Sequence, residues 1–97
     1  MSELTVTVDN KELTFSVTND DFNQYLNEQM PNDKVAPAFN FLSRTVVESS
    51  RDNFNAVLVV DGKPKGIAVL QVAGVLAGEF GGGVQISLKK PSALPAA

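Results

Sequence analysis

The feature that most restricts the fold lies at the start of the chain. Leu4, Val6 and Val8 alternate with Thr5 and Thr7, Asp9-Asn10-Lys11 follow, and Leu13, Phe15 and Val17 alternate with Thr14 and Ser16. A period of two built from β-branched and apolar residues predicts strands, and Asp-Asn tolerates the positive φ of a tight turn. Residues 3–17 therefore read as a β-hairpin with one apolar face. A lone hairpin is marginal in water, so the rest of the chain has to supply a layer that covers this face.

The covering layer reads as helical. "TNDD" (Thr18 to Asp21) offers a capping side chain and acidic residues for the positive end of a helix dipole. Phe22, Tyr25, Leu26 and Met30 recur at helical spacing, which predicts a helix over 19–30 that Pro31 ends. A second amphipathic unit starts at Val35, with Pro37 in its first turn and Phe39, Leu42 and Val46 on one face. Ser49-Ser50 breaks that pattern and can cap a further helix carrying Phe54, Val57 and Leu58.

Residues 53–66 leave two readings open. Asp61-Gly62 between apolar runs is a hairpin signal, whereas Pro64 placed early in a later helix favours helix, turn, helix. Residues 66–80 are too long for an average strand and predict a helix, which Gly81-Gly82-Gly83 stops. Val84, Ile86 and Leu88 alternate with Gln85 and Ser87, which predicts a third strand paired with the hairpin. The expected fold class is α+β: a small antiparallel sheet of the N-terminal hairpin and a C-terminal strand, packed against three to four helices. One domain is expected over 1–90, with "PSALPAA" (91–97) as a disordered tail.

Composition removes several kinds of function. The chain has 97 residues with no Cys and no His, which excludes Cys/His metal sites, thiol catalysis and a histidine base. A net charge of −3, with Lys and Arg scattered, opposes nucleic-acid binding. Lys63 with Lys65 and Lys89 with Lys90 sit beside turns and read as solvated. "MSELTVTV" lacks the basic start and apolar core of a secretion signal, and the run Ile67 to Ala77, broken by Gln71, is too short for a bilayer. A cytoplasmic chain off the membrane is expected.

The remaining motifs favour structural roles. "GEFGGG" (78–83) follows a helix and lacks the Lys-Ser or Lys-Thr of a phosphate loop. Gly74 and Gly78 suit close approach of a neighbouring element, or of a second copy of the chain. Asp20/Asp21 and Glu48/Asp52 fall at helix starts and on polar faces, not in a converging pair, and Ser49 and Ser50 have no base. No catalytic residue, metal ligand or cofactor site is expected. What is left is apolar surface on the helices, carried by Phe22, Phe39, Phe41, Phe54 and Phe80. Those rings fill the core or, where a two-layer fold cannot hide them, bind protein.

The stretch Asn23 to Val46, "NQYLNEQMPNDKVAPAFNFLSRTV", resembles the signature region of the tail assembly chaperones of tailed phages and prophages. Tyr25, Asn27-Glu28, Met30-Pro31-Asn32, Lys34 to Ala38, Asn40-Phe41-Leu42 and Arg44-Thr45 carry the likeness. "LTVTVDNKELTFSVTNDDFNQYLNE" resembles that family's hairpin and first helix, and "VQISLKK" its closing strand, so most of 3–90 is covered. The chain departs from the pattern at 59–66, "VVDGKPKG", and at 77–83, "AGEFGGG".

The resemblance implies a non-enzymatic factor that holds the tape measure protein and helps recruit the major tail subunit. It implies work in the host cytoplasm and absence from the finished virion. The alternative is a small structural or regulatory interaction module that stays in the particle. From pattern alone, Pro31 and Pro37 set an angle at which Tyr25, Met30, Val35, Phe39 and Leu42 form the protein-binding face.

Overall fold

The computed structural model describes residues 2–80. Strands β1 (Ser2–Val8) and β2 (Lys11–Val17) pair antiparallel, with Leu4 opposite Phe15 and Val6 opposite Leu13. Asp9 and Asn10 both adopt positive φ, as a two-residue hairpin loop demands. Leu13, Phe15 and Val17 are buried, and Leu4, Val6 and Val8 half-buried on the same side. Thr5 and Thr14 meet on the outer face, Oγ1 to Oγ1 at 2.8 Å.

The two edges of this ribbon differ. The outer edge of β2 is closed by residues 46–53: Phe15 bridges Val46, the Val47 N–H donates to the Thr14 carbonyl at 2.9 Å, and the Thr14 N–H donates to Ser50 Oγ at 3.0 Å. Asn53 Nδ2 donates to the Glu12 carbonyl at 3.1 Å. Among the described residues nothing pairs with the outer edge of β1.

Helix α1 (Asn19–Glu28) begins with a reciprocal cap. Thr18 Oγ1 accepts from the Asp21 N–H, and Asp21 Oδ2 accepts from the Thr18 N–H at 2.9 Å. The helix stops at Glu28, two residues before the sequence expectation, because Pro31 pulls the residues before it into extended backbone. Met30 and Asp33 exchange backbone hydrogen bonds around Pro31-Asn32, and Asp33 Oδ1 accepts from the Ala36 N–H at 3.3 Å.

Helix α2 (Val35–Thr45) then runs with Pro37 buried in its first turn. A single 3-10 turn (Glu48–Ser50) leads into α3 (Arg51–Leu58). Both readings of 53–66 hold in part. The helix continues to Leu58, and the hairpin signal at Asp61-Gly62 then closes β3 (Val59–Val60) on β4 (Lys63–Pro64), each only two residues long. Helix α4 (Gly66–Phe80) follows, burying Val69, Val72, Ala73 and Leu76 at i, i+3, i+4 and i+7.

These helices cover the apolar face of the hairpin, giving an α+β fold. Phe41 lies at the centre, 4.9 Å from both Phe22 and Tyr25, ring centre to ring centre. Phe54 takes the edge of Phe15 on one side and packs on Phe39 on the other. In place of one three-stranded sheet, the described residues form two two-stranded sheets. The strand expected at Val84–Leu88 and the tail expected at 91–97 lie outside the described residues.

Candidate protein-binding surface

The structure separates the side chains that the pattern grouped. Leu42 is fully buried, and Tyr25 is buried with its ring stacked on Phe41 at an interplanar angle of 12°. Phe39 is half-buried against Phe54. Val35 is half-buried at the start of α2, where its Cγ2 would stand 3.1 Å from a β-carbon placed on Gly66. Met30 alone is open, with 59% of its surface exposed. The helix junction is thus a wedge: its inner side chains fix α1 against α2, and its tip presents Met30 to solvent.

The phenylalanines supply little open surface. Phe22, Phe41 and Phe54 are buried, and Phe39 and Phe80 are half-buried against the same core. Exposed apolar area is aliphatic, on Leu26, Met30, Val60, Ile67, Leu70 and Val75. Ile67 stands out at 78% exposure. It lies one residue after Gly66, so the contact between Val35 and Gly66 brings the wedge beside the first turn of α4.

Helix α4 explains why its outer face is apolar. From Gly66 through Gly78 it carries no charge and only one polar side chain, Gln71. A helix apolar all round is normally enclosed, yet Ile67, Leu70, Gly74, Val75, Ala77 and Gly78 remain exposed. A β-carbon added at Gly74 or Gly78 would meet nothing within 4 Å, so no described element packs closely there. The missing polar face was visible in the sequence; which side would stay open was not, because that depends on where α2 and β1 sit.

A concavity lies between α4 and β1. This groove of about 640 Å³ is floored by Leu4, Val6, Val8, Val72 and Val75, and its rim carries Glu3, Asp9 and Glu79.

Charged groups serve the scaffold. Asp21 is engaged in the α1 cap, and Glu28 lies between Gln24 Nε2 at 3.0 Å and Arg44 at 3.9 Å. Glu48 pairs with Arg51 at 3.6 Å in an exposed position. Among the described residues no group of Asp and Glu converges as a metal cage would require, and no helix is long and apolar enough to cross a membrane.

A family model described as "Phage tail assembly chaperone" matches residues 4–90. No curated protein and no solved structure matches the chain.

Proposed function

The chain belongs to the phage tail assembly chaperone family, and from that membership we propose that it holds the tape measure protein during tail tube assembly and helps bring in the major tail subunit. It does so by apolar contact alone, without catalysing a covalent step or using a cofactor. The observation that carries this reading is the exposure of Met30 at the helix junction and of Ile67 and Leu70 on α4. A tape measure segment that presents an apolar helical seam would find there exposed aliphatic side chains to pack against, as in helix-in-groove recognition.

Within this reading Met30, Val35 and Phe39 meet the client at the junction. Tyr25 and Leu42 act beneath them, holding α1 against α2 so that this surface keeps its shape. The open Gly74 and Gly78 positions let a client helix approach the α4 backbone closely. A second copy of the chain would use the same face. The protein acts in the host cytoplasm and leaves before the virion is complete.

Co-purification with tagged tape measure fragments tests the proposal. Met30→Asp and Ile67→Asp place charges on exposed positions and leave the core intact. Each is expected to lower client recovery at least tenfold while keeping the wild-type circular dichroism spectrum. Recovery equal to wild type in both would count against this surface. Mass spectrometry of purified particles separates the chaperone from a module retained in the virion, since a chaperone is absent there.

A further inference from the structure

We propose that the apolar surface around Ile67 takes an amphipathic helix whose apolar seam is bordered by Asp and Glu, and that Lys34, Lys63 and Lys65 meet those carboxylates. This rests on the reading that a client helix packs on Ile67 and Leu70, and it adds the charge that such a helix carries. The chain as a whole is acidic, with a net charge of −3. Around Ile67, the most exposed of the large apolar side chains among the described residues, the balance is reversed by these three lysines.

Chain connectivity gathers them. Val35 Cγ2 would stand 3.1 Å from a β-carbon on Gly66, so the starts of α2 and α4 touch. Lys34 and Lys65 immediately precede those two residues, which keeps their Cα atoms within about 15 Å of each other. Lys63 lies two residues before Lys65 and pairs with Val60 across the β3–β4 hairpin, so it shares a face with that exposed valine. Ile67 itself follows Lys65 by two residues.

The scaffold does not use these charges. Arg44 pairs with Glu28 and Arg51 with Glu48, whereas all three lysines are exposed and have no carboxylate within ion-pair distance among the described residues. Asp33 and Asp61 are the acids adjoining them in the chain. Asp33 Oδ1 accepts from the Ala36 N–H at 3.3 Å and so serves the start of α2, and Asp61 sits at positive φ in the hairpin turn. Helix α1 carries Asp20 and Asp21 in its first turn and α3 carries Asp52, but α4 has no acid in its own. The positive end of α4 therefore adds to the lysines. A basic helix would be repelled here. Carboxylates one or two turns apart on a client helix, about 5–11 Å, match the spacing that flexible lysine stems can reach. Exposed pairs of this kind contribute little affinity each and act chiefly by selecting the partner.

Two synthetic peptides of about 18 residues, long enough to hold a helix, test this. Both carry the same leucine seam at helical spacing; one borders it with Glu and the other with Lys. Fluorescence anisotropy reads their dissociation constants against the full-length chain. The Glu-bordered peptide is expected to bind at least ten times more tightly, and raising the salt from about 0.05 to about 0.5 M should erase most of that margin. With glutamine at Lys34, Lys63 and Lys65 the preference should vanish. In Lys34→Glu/Lys63→Glu/Lys65→Glu it should reverse, with the wild-type circular dichroism spectrum kept. Equal binding of the two peptides to wild type, binding of neither, or a Glu preference that survives in the triple variants overturns the inference. Ile67→Gln separates it from the function on which it rests. Weaker binding of both peptides to that variant, with no preference between them in wild type, keeps the apolar surface and removes only the charge. A Glu preference with undiminished binding to Ile67→Gln removes Ile67 from the contact, and the inference and the apolar reading of this surface fall together.

Discussion

A β-carbon on Gly66 would stand 3.1 Å from Val35 Cγ2, so the first residues of α2 and α4 are in direct contact. This close approach lies within the wider packing of α2 on α4. Gly66→Val adds bulk that Val35 has to evade, and overpacking of this kind costs about 1–3 kcal/mol. Gly66→Ala asks only a few tenths of an ångström of Val35, against a gain in helix propensity, and is expected to be near neutral. Urea denaturation of Gly66→Val with and without Val35→Ala measures the contact as a coupling energy: the second change should recover part of the loss.

One hydroxyl satisfies a backbone donor on the edge of β2. Ser50 is buried, and its Oγ accepts from the Thr14 N–H at 3.0 Å. Ser50→Ala leaves that donor without a partner, at about 1–3 kcal/mol. Amide exchange at Thr14 should quicken more than at Val47, whose bond to the Thr14 carbonyl is untouched. Equal acceleration at both sites would mean that the whole 46–53 segment has come away.

The α1 cap is reciprocal, and its two halves should not behave independently. Thr18→Ala removes the acceptor for the Asp21 N–H and is expected to lower stability by about 1 kcal/mol. Asp21→Ala removes the acceptor for the Thr18 N–H and hydroxyl. Because both belong to one box, the double variant should lose less than the sum of the singles. Thermal denaturation of the three variants checks this, and strict additivity would contradict a shared cap.

Much of this fold was legible where a local rule is strict. The alternation from Leu4 to Val17 specifies the hairpin and its buried face, since a one-residue slip would turn every apolar side chain outward. Thr18 and Asp21 announce the start of α1 through spacing alone. Residues 53–66 were ambiguous because a helix and a two-residue strand abut at Leu58 and Val59, too short a run for either period to show. The candidate binding surface was the least legible part. Tyr25 and Leu42 share a helical stripe with client-binding candidates, but a stripe states only that a face is apolar. Whether it meets the core or a partner is settled by the other helices. The same applies to α4, whose apolar residues surround the helix and so point nowhere in particular.

Gly74 and Gly78 offer a test that separates folding from binding. Both lie inside α4, and neither would bring a β-carbon within 4 Å of another atom. Alanine at Gly74 should therefore stabilise the free protein by about 1 kcal/mol, through reduced backbone entropy in the unfolded chain, and at Gly78, nearer the helix end, by less. Under the proposed function a client helix approaches this backbone closely, and an added methyl group holds it off. The pair Gly74→Ala/Gly78→Ala should raise the melting temperature while reducing recovery of tape measure fragments. An unchanged or lowered melting temperature would mean that something already covers this face in the free protein. A raised melting temperature with full recovery would move the client to Met30 and Ile67, away from the glycines.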